Sequence, residues 1–149
     1  MWNTIENTND IEEFMKKVQG FHDTCIKEIK YRSGAYVNEN LGMNPMNSLR
    51  ELKMIIQRQT EELSVIELEF TGLKEIHMTP SNYFTCEIHS ATLLFLGEDI
   101  CWCDEGKLSI SGVLIYPGTR IIASKLRWRS IENALGSEEI YTSKPFSES

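Results

Sequence analysis

No apolar run in this 149-residue chain approaches the roughly 20 residues that a membrane-spanning helix needs, so no membrane partner is expected. Its opening residues, Met1-Trp2-Asn3-Thr4-Ile5-Glu6, have neither the basic start nor the apolar stretch of a secretory leader; a cytoplasmic location is the expectation. Basic residues are in deficit. Fifteen Lys and Arg stand against 22 Asp and Glu, a net charge of −7, which disfavours nucleic acid because phosphate binding depends on a basic footprint. Cysteine is sparse: Cys25, Cys86, Cys101 and Cys103 are scattered and do not frame a small disulfide-stapled fold. Gly-x-Ser-x-Gly, the P-loop, the dinucleotide fingerprint, His-Glu-x-x-His and Cys-x-x-Cys are all missing. No familiar hydrolase, nucleotide, metalloprotease or thiol-redox site is therefore spelled out, and no cofactor is expected.

What is present is an ordinary globular composition, 41% hydrophobic and 25% charged, with alternation as its main pattern. Asn9-Asp10-Ile11-Glu12 reads as a capping box, and Ile11, Phe14, Met15 and Val18 then recur at helical spacing, which predicts a helix near residues 10–19 ended by Gly20. From Cys25 the pattern fits a strand that turns at Ser33-Gly34 into Ala35-Tyr36-Val37, a hairpin. Asn38 to Ser48, with four Asn, one Gly and one Pro, reads as an exposed loop. Leu52 to Ile56 fits a strand, with helix as the competing reading. Ser64 to Phe70 is a half-buried strand with Ile66, Leu68 and Phe70 inward and Glu67 and Glu69 outward, broken at Thr71-Gly72 and resumed over Leu73 to Met78. After a turn at Thr79 to Asn82, extended chain is predicted over Tyr83–Leu96, Ile100–Cys103, Leu108–Tyr116 and Ile121–Trp128. Residues from 131 onward read as a loosely ordered acidic tail. The expected architecture is one domain over 1–149 of α+β class, mainly antiparallel β: a sandwich or partial barrel with one N-terminal helix packed on it.

Candidate chemistry centres on His22 and Asp23. A carboxylate holding a histidine ring nitrogen makes a general base or a metal ligand. On a strand, though, neighbouring residues point to opposite faces, so these two are not expected to pair; closing the helix–strand junction is the simpler role. Cys101-x-Cys103 places two thiols on one strand face, half of a zinc set at most, and packing as small hydrophobes is the simpler reading. Lys125, Arg127 and Arg129 share one strand face opposite Leu126 and Trp128, which fits a solvated strand face, or an electrostatic match to Glu67 and Glu69 on a neighbouring strand, better than nucleic-acid binding. Glu67, Glu69, Glu98, Asp99 and Asp104 are the candidate acidic face for a basic protein partner.

Phe21-His22-Asp23 entering a strand with Ile26-x-x-Ile29, followed later by Ile66-Glu67-Leu68-Glu69-Phe70-x-Gly72-Leu73, resembles small bacterial "FHD" proteins with a similar later strand. Some of these look like immunity proteins of polymorphic toxin loci, which bind and block a toxin. The resemblance spans about residues 20–75 and carries over no catalytic residue. Thr24-Cys25 stands where a further acidic residue is often found, and the Asn-rich loop departs from the pattern. The resemblance implies a non-enzymatic protein-binding module that neutralises a basic toxin through its acidic face. The competing reading is a small metal-binding protein or hydrolase built on His22, Asp23 and the cysteines. An exposed sheet edge would also permit a homodimer.

Overall fold

The computed structural model describes residues 1–80 and 85–142. Strands β1 (Asn3–Ile5), β2 (Thr24–Arg32), β3 (Tyr36–Val37), β4 (Met43–Asn44), β5 (Glu51–Arg58), β6 (Val65–His77), β7 (Thr92–Leu96), β8 (Asp99–Cys103) and β9 (Arg120–Ser130) accompany helices α1 (Thr8–Lys17) and α2 (Ile110–Ile115). The fold is α+β and mainly antiparallel. Among the described residues one sheet runs β2-β5-β6-β9-β8-β7 with β1 beside β9, and it does not close into a barrel. No helix of the described residues is long and apolar enough to cross a membrane.

Alternation in β5, β6 and β9 builds the core. Leu52, Met54 and Ile56 lie beside Phe70, Leu68 and Ile66, and Leu68 and Phe70 pair in turn with Trp128 and Leu126. The buried stripe of α1 covers this face, and Phe14 stacks on Trp128 with ring centroids 4.8 Å apart. The helix starts earlier than its predicted capping box: Asn7 accepts from the Asp10 amide at 2.9 Å, and the Asp10 carboxylate accepts from the Glu6 amide at 2.8 Å. The first bond satisfies one of the amides a helix start leaves free, and the second ties the residue before the cap back onto the first turn.

Four predicted elements differ. Thr71-Gly72 does not break the strand; β6 runs through to His77 because Gly72, at φ +64°, lets it carry a bulge between Leu73 and Glu75 while pairing with β9 continues. A Cβ on Gly72 would come within 2.7 Å of the Ser124 hydroxyl. Residues 108–116 are not extended. Ser109 caps α2 by accepting from the Gly112 amide at 3.0 Å, and Val113 is the side chain this one-turn helix buries, against Cys101, Cys103 and Ile122. The expected hairpin through Ser33-Gly34 does not form either: β2 pairs with β5, and β3 pairs with β4 in a separate two-stranded ribbon. Of the predicted run Tyr83–Leu96, residues 83 and 84 lie outside the described residues, 85–91 form only a bridge between Ile88 and Thr24, and β7 supplies the rest. Residues 81 and 82 of the expected turn also lie outside the description.

The C-terminal segment lies across the sheet face opposite α1. Glu28 accepts from the amides of Ile140 and Tyr141, both at 2.8 Å, and Gln57 donates to the Ala134 carbonyl at 2.9 Å. The Tyr141 hydroxyl donates to Glu67. Residues 131–142 thus form a strap tied to β2, β5 and β6, while 143–149 of the expected tail lie outside the described residues.

Candidate functional site

His22 and Asp23 do meet, contrary to the period-two expectation. The chain leaves α1 through Gln19, Gly20 and Phe21, all at positive φ, and Asp23 is itself left-handed at φ +56°. The pair therefore sits on a tight corner and not on a pleated strand, with His22 Nδ1 2.9 Å from the Asp23 carboxylate and both side chains open to solvent. Burial of Phe21, edge-on to Phe14 and Trp102, fixes this corner. Asp23 also lines a cavity with Cys25 and Cys86, whereas Cys101 and Cys103 are buried behind α2 with sulfurs 3.9 Å apart. Among the described residues no three His, Cys, Asp or Glu side chains gather as a metal set.

The nominated acidic face is largely spent inside the molecule. Glu67 and Glu69 point to the face away from α1, but they are only 1% and 6% exposed. Arg129 and Arg127 from β9 close over them at 2.9 and 2.7 Å, the match their strand positions suggested. The Trp2 ring stacks on both guanidinium groups, with Arg127 4.2 Å and Arg129 4.4 Å from its centroid. Asp99 pairs with Lys74 at 2.8 Å; Asp104 accepts from the Tyr116 hydroxyl and from the Thr119 amide. Of the five, Glu98 is exposed and forms no ion pair among the described residues.

Tyr116 and Tyr141 register this arrangement. Burial, reinforced by donation to Asp104 and Glu67 respectively, pushes each hydroxyl well above its ordinary value. An unfolded chain releases these protons near pH 10, while the folded chain keeps them. The unfolded state then binds fewer protons, so their stabilising contribution, whole below about pH 10, falls as pH rises toward the folded values. Absorbance titration is expected to show both hydroxyls ionising only as the chain unfolds, with Tyr141→Phe and Tyr116→Phe each shrinking that late step. Ionisation of both near pH 10 in the folded chain would contradict the geometry.

The feature that sequence reading left as a plain loop is the arm between β2 and β5. Its base is closed where the Leu49 and Arg50 amides donate to the Ser33 carbonyl at 3.0 and 3.1 Å. Gly34 is needed there, since at φ +98° its absent Cβ would lie 2.8 Å from the Leu49 nitrogen. At the tip, Asn38 Oδ1 accepts from the amides of Asn40 and Gly42 at 3.0 and 2.9 Å, and the Asn38 amide donates to the Gly42 carbonyl. The asparagine thus builds a local turn framework. That framework holds Leu41 at φ +65°, a left-handed conformation costly for a bulky side chain, with 86% of it exposed. Met43 and Met46, each 68% exposed, together with Tyr31, Tyr36 and Val37, make the arm an apolar surface on an ordered ribbon. The signal in the sequence was Leu41, Met43 and Met46 themselves, large apolar residues in a loop with no other reason to carry them.

Compared with family models, curated proteins and solved structures, the chain matches none.

Proposed function

We propose that this protein is a non-enzymatic binding module of the immunity type, which blocks a basic polypeptide by docking it on the arm formed by residues 31–49. What supports the reading is Leu41, an exposed apolar side chain fixed in a left-handed conformation by its own hydrogen-bonded turn. Preorganised anchors bind well because little freedom remains to be lost on association, and methionines adapt to the partner's contour. The net charge of −7 draws a basic partner in and chiefly raises its rate of encounter. The contact surface is accordingly the arm and not the Glu67–Glu69 face, whose carboxylates already hold Arg129 and Arg127.

Expression of the polypeptide encoded by the adjoining gene tests this reading. In a host without this chain it is expected to arrest growth, and co-expression of this chain is expected to restore it. A harmless neighbour, or arrest that this chain does not relieve, would contradict the immunity role. A complex of two copies of this chain through the arm, seen by sedimentation, would replace the foreign partner with a homodimer.

A further inference from the structure

We infer, resting on the arm as the contact surface, that Met43 and Met46 form a modification site: a peroxide converts both thioethers to sulfoxides and thereby weakens docking. Met54 is fully enclosed between Ile29 of β2 and Leu68 of β6, and Met15 packs against the same core. Met43 and Met46 belong to neither apolar cluster, and two thirds of each side chain faces solvent. A small oxidant reaches them with no opening of the fold.

Neither thioether carries the structure of the arm. The base is closed by the Leu49 and Arg50 amides on the Ser33 carbonyl, and the tip by Asn38 with Asn40 and Gly42. Strands β3 and β4 pair through their backbones, and the Met46 amide donates to Asn44 Oδ1 at 3.4 Å. All of these bonds use main-chain groups or asparagine, so oxidation at sulfur leaves the ribbon standing. It changes only what the ribbon displays.

The step takes one peroxide for each sulfur. A sulfur lone pair attacks a peroxide oxygen, the O–O bond breaks and an S–O bond forms; with hydrogen peroxide the second oxygen leaves as water. Sulfur gives up two electrons and the peroxide accepts them. The sulfoxide is polar, so a partner pocket that took the thioether must now desolvate an oxygen it cannot satisfy. Leu41 has no such chemistry and stays as an anchor, so affinity falls without vanishing. A reductase driven by thiols reverses the change, the oxygen leaving as water while two thiols become a disulfide. Cys86 is exposed and Cys25 half-buried, so both thiols meet the same oxidant, but they lie outside the arm.

Treatment of the whole chain with graded hydrogen peroxide, followed by peptide mapping, tests the site. Met43 and Met46 are expected to gain one oxygen each at doses that leave Met54 unmodified. The oxidised chain is then freed of peroxide and titrated with the adjoining gene's product by calorimetry. Its Kd is expected to rise about tenfold or more over that of the untreated chain. Met43→Leu combined with Met46→Leu keeps the apolar surface, the thiols and the exposed Met1 and Met78. This variant is expected to hold its Kd within about threefold through the same treatment, which assigns the loss to the two arm sulfurs. Failure of the untreated chain to bind would remove the docking role of the arm and this site with it. With binding by the untreated chain intact, an oxidised chain whose Kd stays within about threefold would overturn the modification site alone. So would oxidation of Met54 as fast as Met43 and Met46, or an equal loss of affinity in the double leucine variant.

Discussion

Replacing Trp102 by Ala is expected to cost the protein about 3–5 kcal/mol, the range for emptying a large aromatic site in a core. Trp102 is fully buried on β8, paired across the sheet with Leu93 and Ile121 and edge-on to Phe21 at 5.6 Å. Its loss removes the support of Phe21, and with it the left-handed corner that carries the chain from α1 into β2. Domains of this kind are stable by only about 5–15 kcal/mol, so a large share of the margin disappears. Trp102→Phe separates packing from polarity. The Trp102 Nε1–H is buried with no hydrogen-bond partner among the described residues, a condition that costs about 1–3 kcal/mol. Phenylalanine relieves that penalty while giving up some volume, so a net change under about 1.5 kcal/mol is expected. Denaturant unfolding followed by far-ultraviolet circular dichroism measures both, since fluorescence would lose its own reporter. A Trp102→Ala cost below about 1 kcal/mol, or equal costs for the two substitutions, would contradict this packing.

Much of the fold was legible because it rests on period. Ile11, Phe14 and Val18 announced α1, and Ile66, Leu68 and Phe70 announced the core face of β6. The pairing of Arg127 and Arg129 with Glu69 and Glu67 was one of the two readings that strand parity allowed, a solvated face being the other. What escaped depends on contacts distant in sequence. Ile110–Ile115 is a short apolar run whose helix is decided by the Ser109 cap and the burial of Val113, neither of which alternation reveals. The pairing partner of β2 was misread because Ser33-Gly34 is a good turn signal; here the same residues close the base of an arm, and Leu52 to Arg58 takes the place of Ala35 to Val37.

The candidate site divides in the same way. Glu67 and Glu69 were placed correctly on the outer face, but their burial comes from Arg129, Arg127, Trp2 and a strap more than sixty residues further along. His22 and Asp23 were separated by a rule for pleated strands that Asp23, at φ +56°, does not obey. The Asn-rich stretch was rightly read as exposed. Its rigidity was hidden, because it lies in which amides Asn38 accepts from and not in composition.

If the arm supplies the binding energy, Leu41→Asp combined with Met43→Asp removes most of it. Both side chains are mostly exposed, so the double variant should keep its stability to within about 0.5 kcal/mol. Hot-spot side chains contribute about 2 kcal/mol or more each, and every 1.4 kcal/mol is tenfold, so loss of two anchors is expected to raise Kd at least about 100-fold. Glu98→Gln, an exposed charge outside the arm, should instead slow association by less than about tenfold and leave dissociation unchanged. The measurement is the Kd of the complex with the adjoining gene's product, by calorimetry, for the unmodified chain and the double variant. A rise of about 100-fold or more, through faster dissociation, is the expected result. A Kd within about threefold of the unmodified chain's would mean that the partner binds elsewhere.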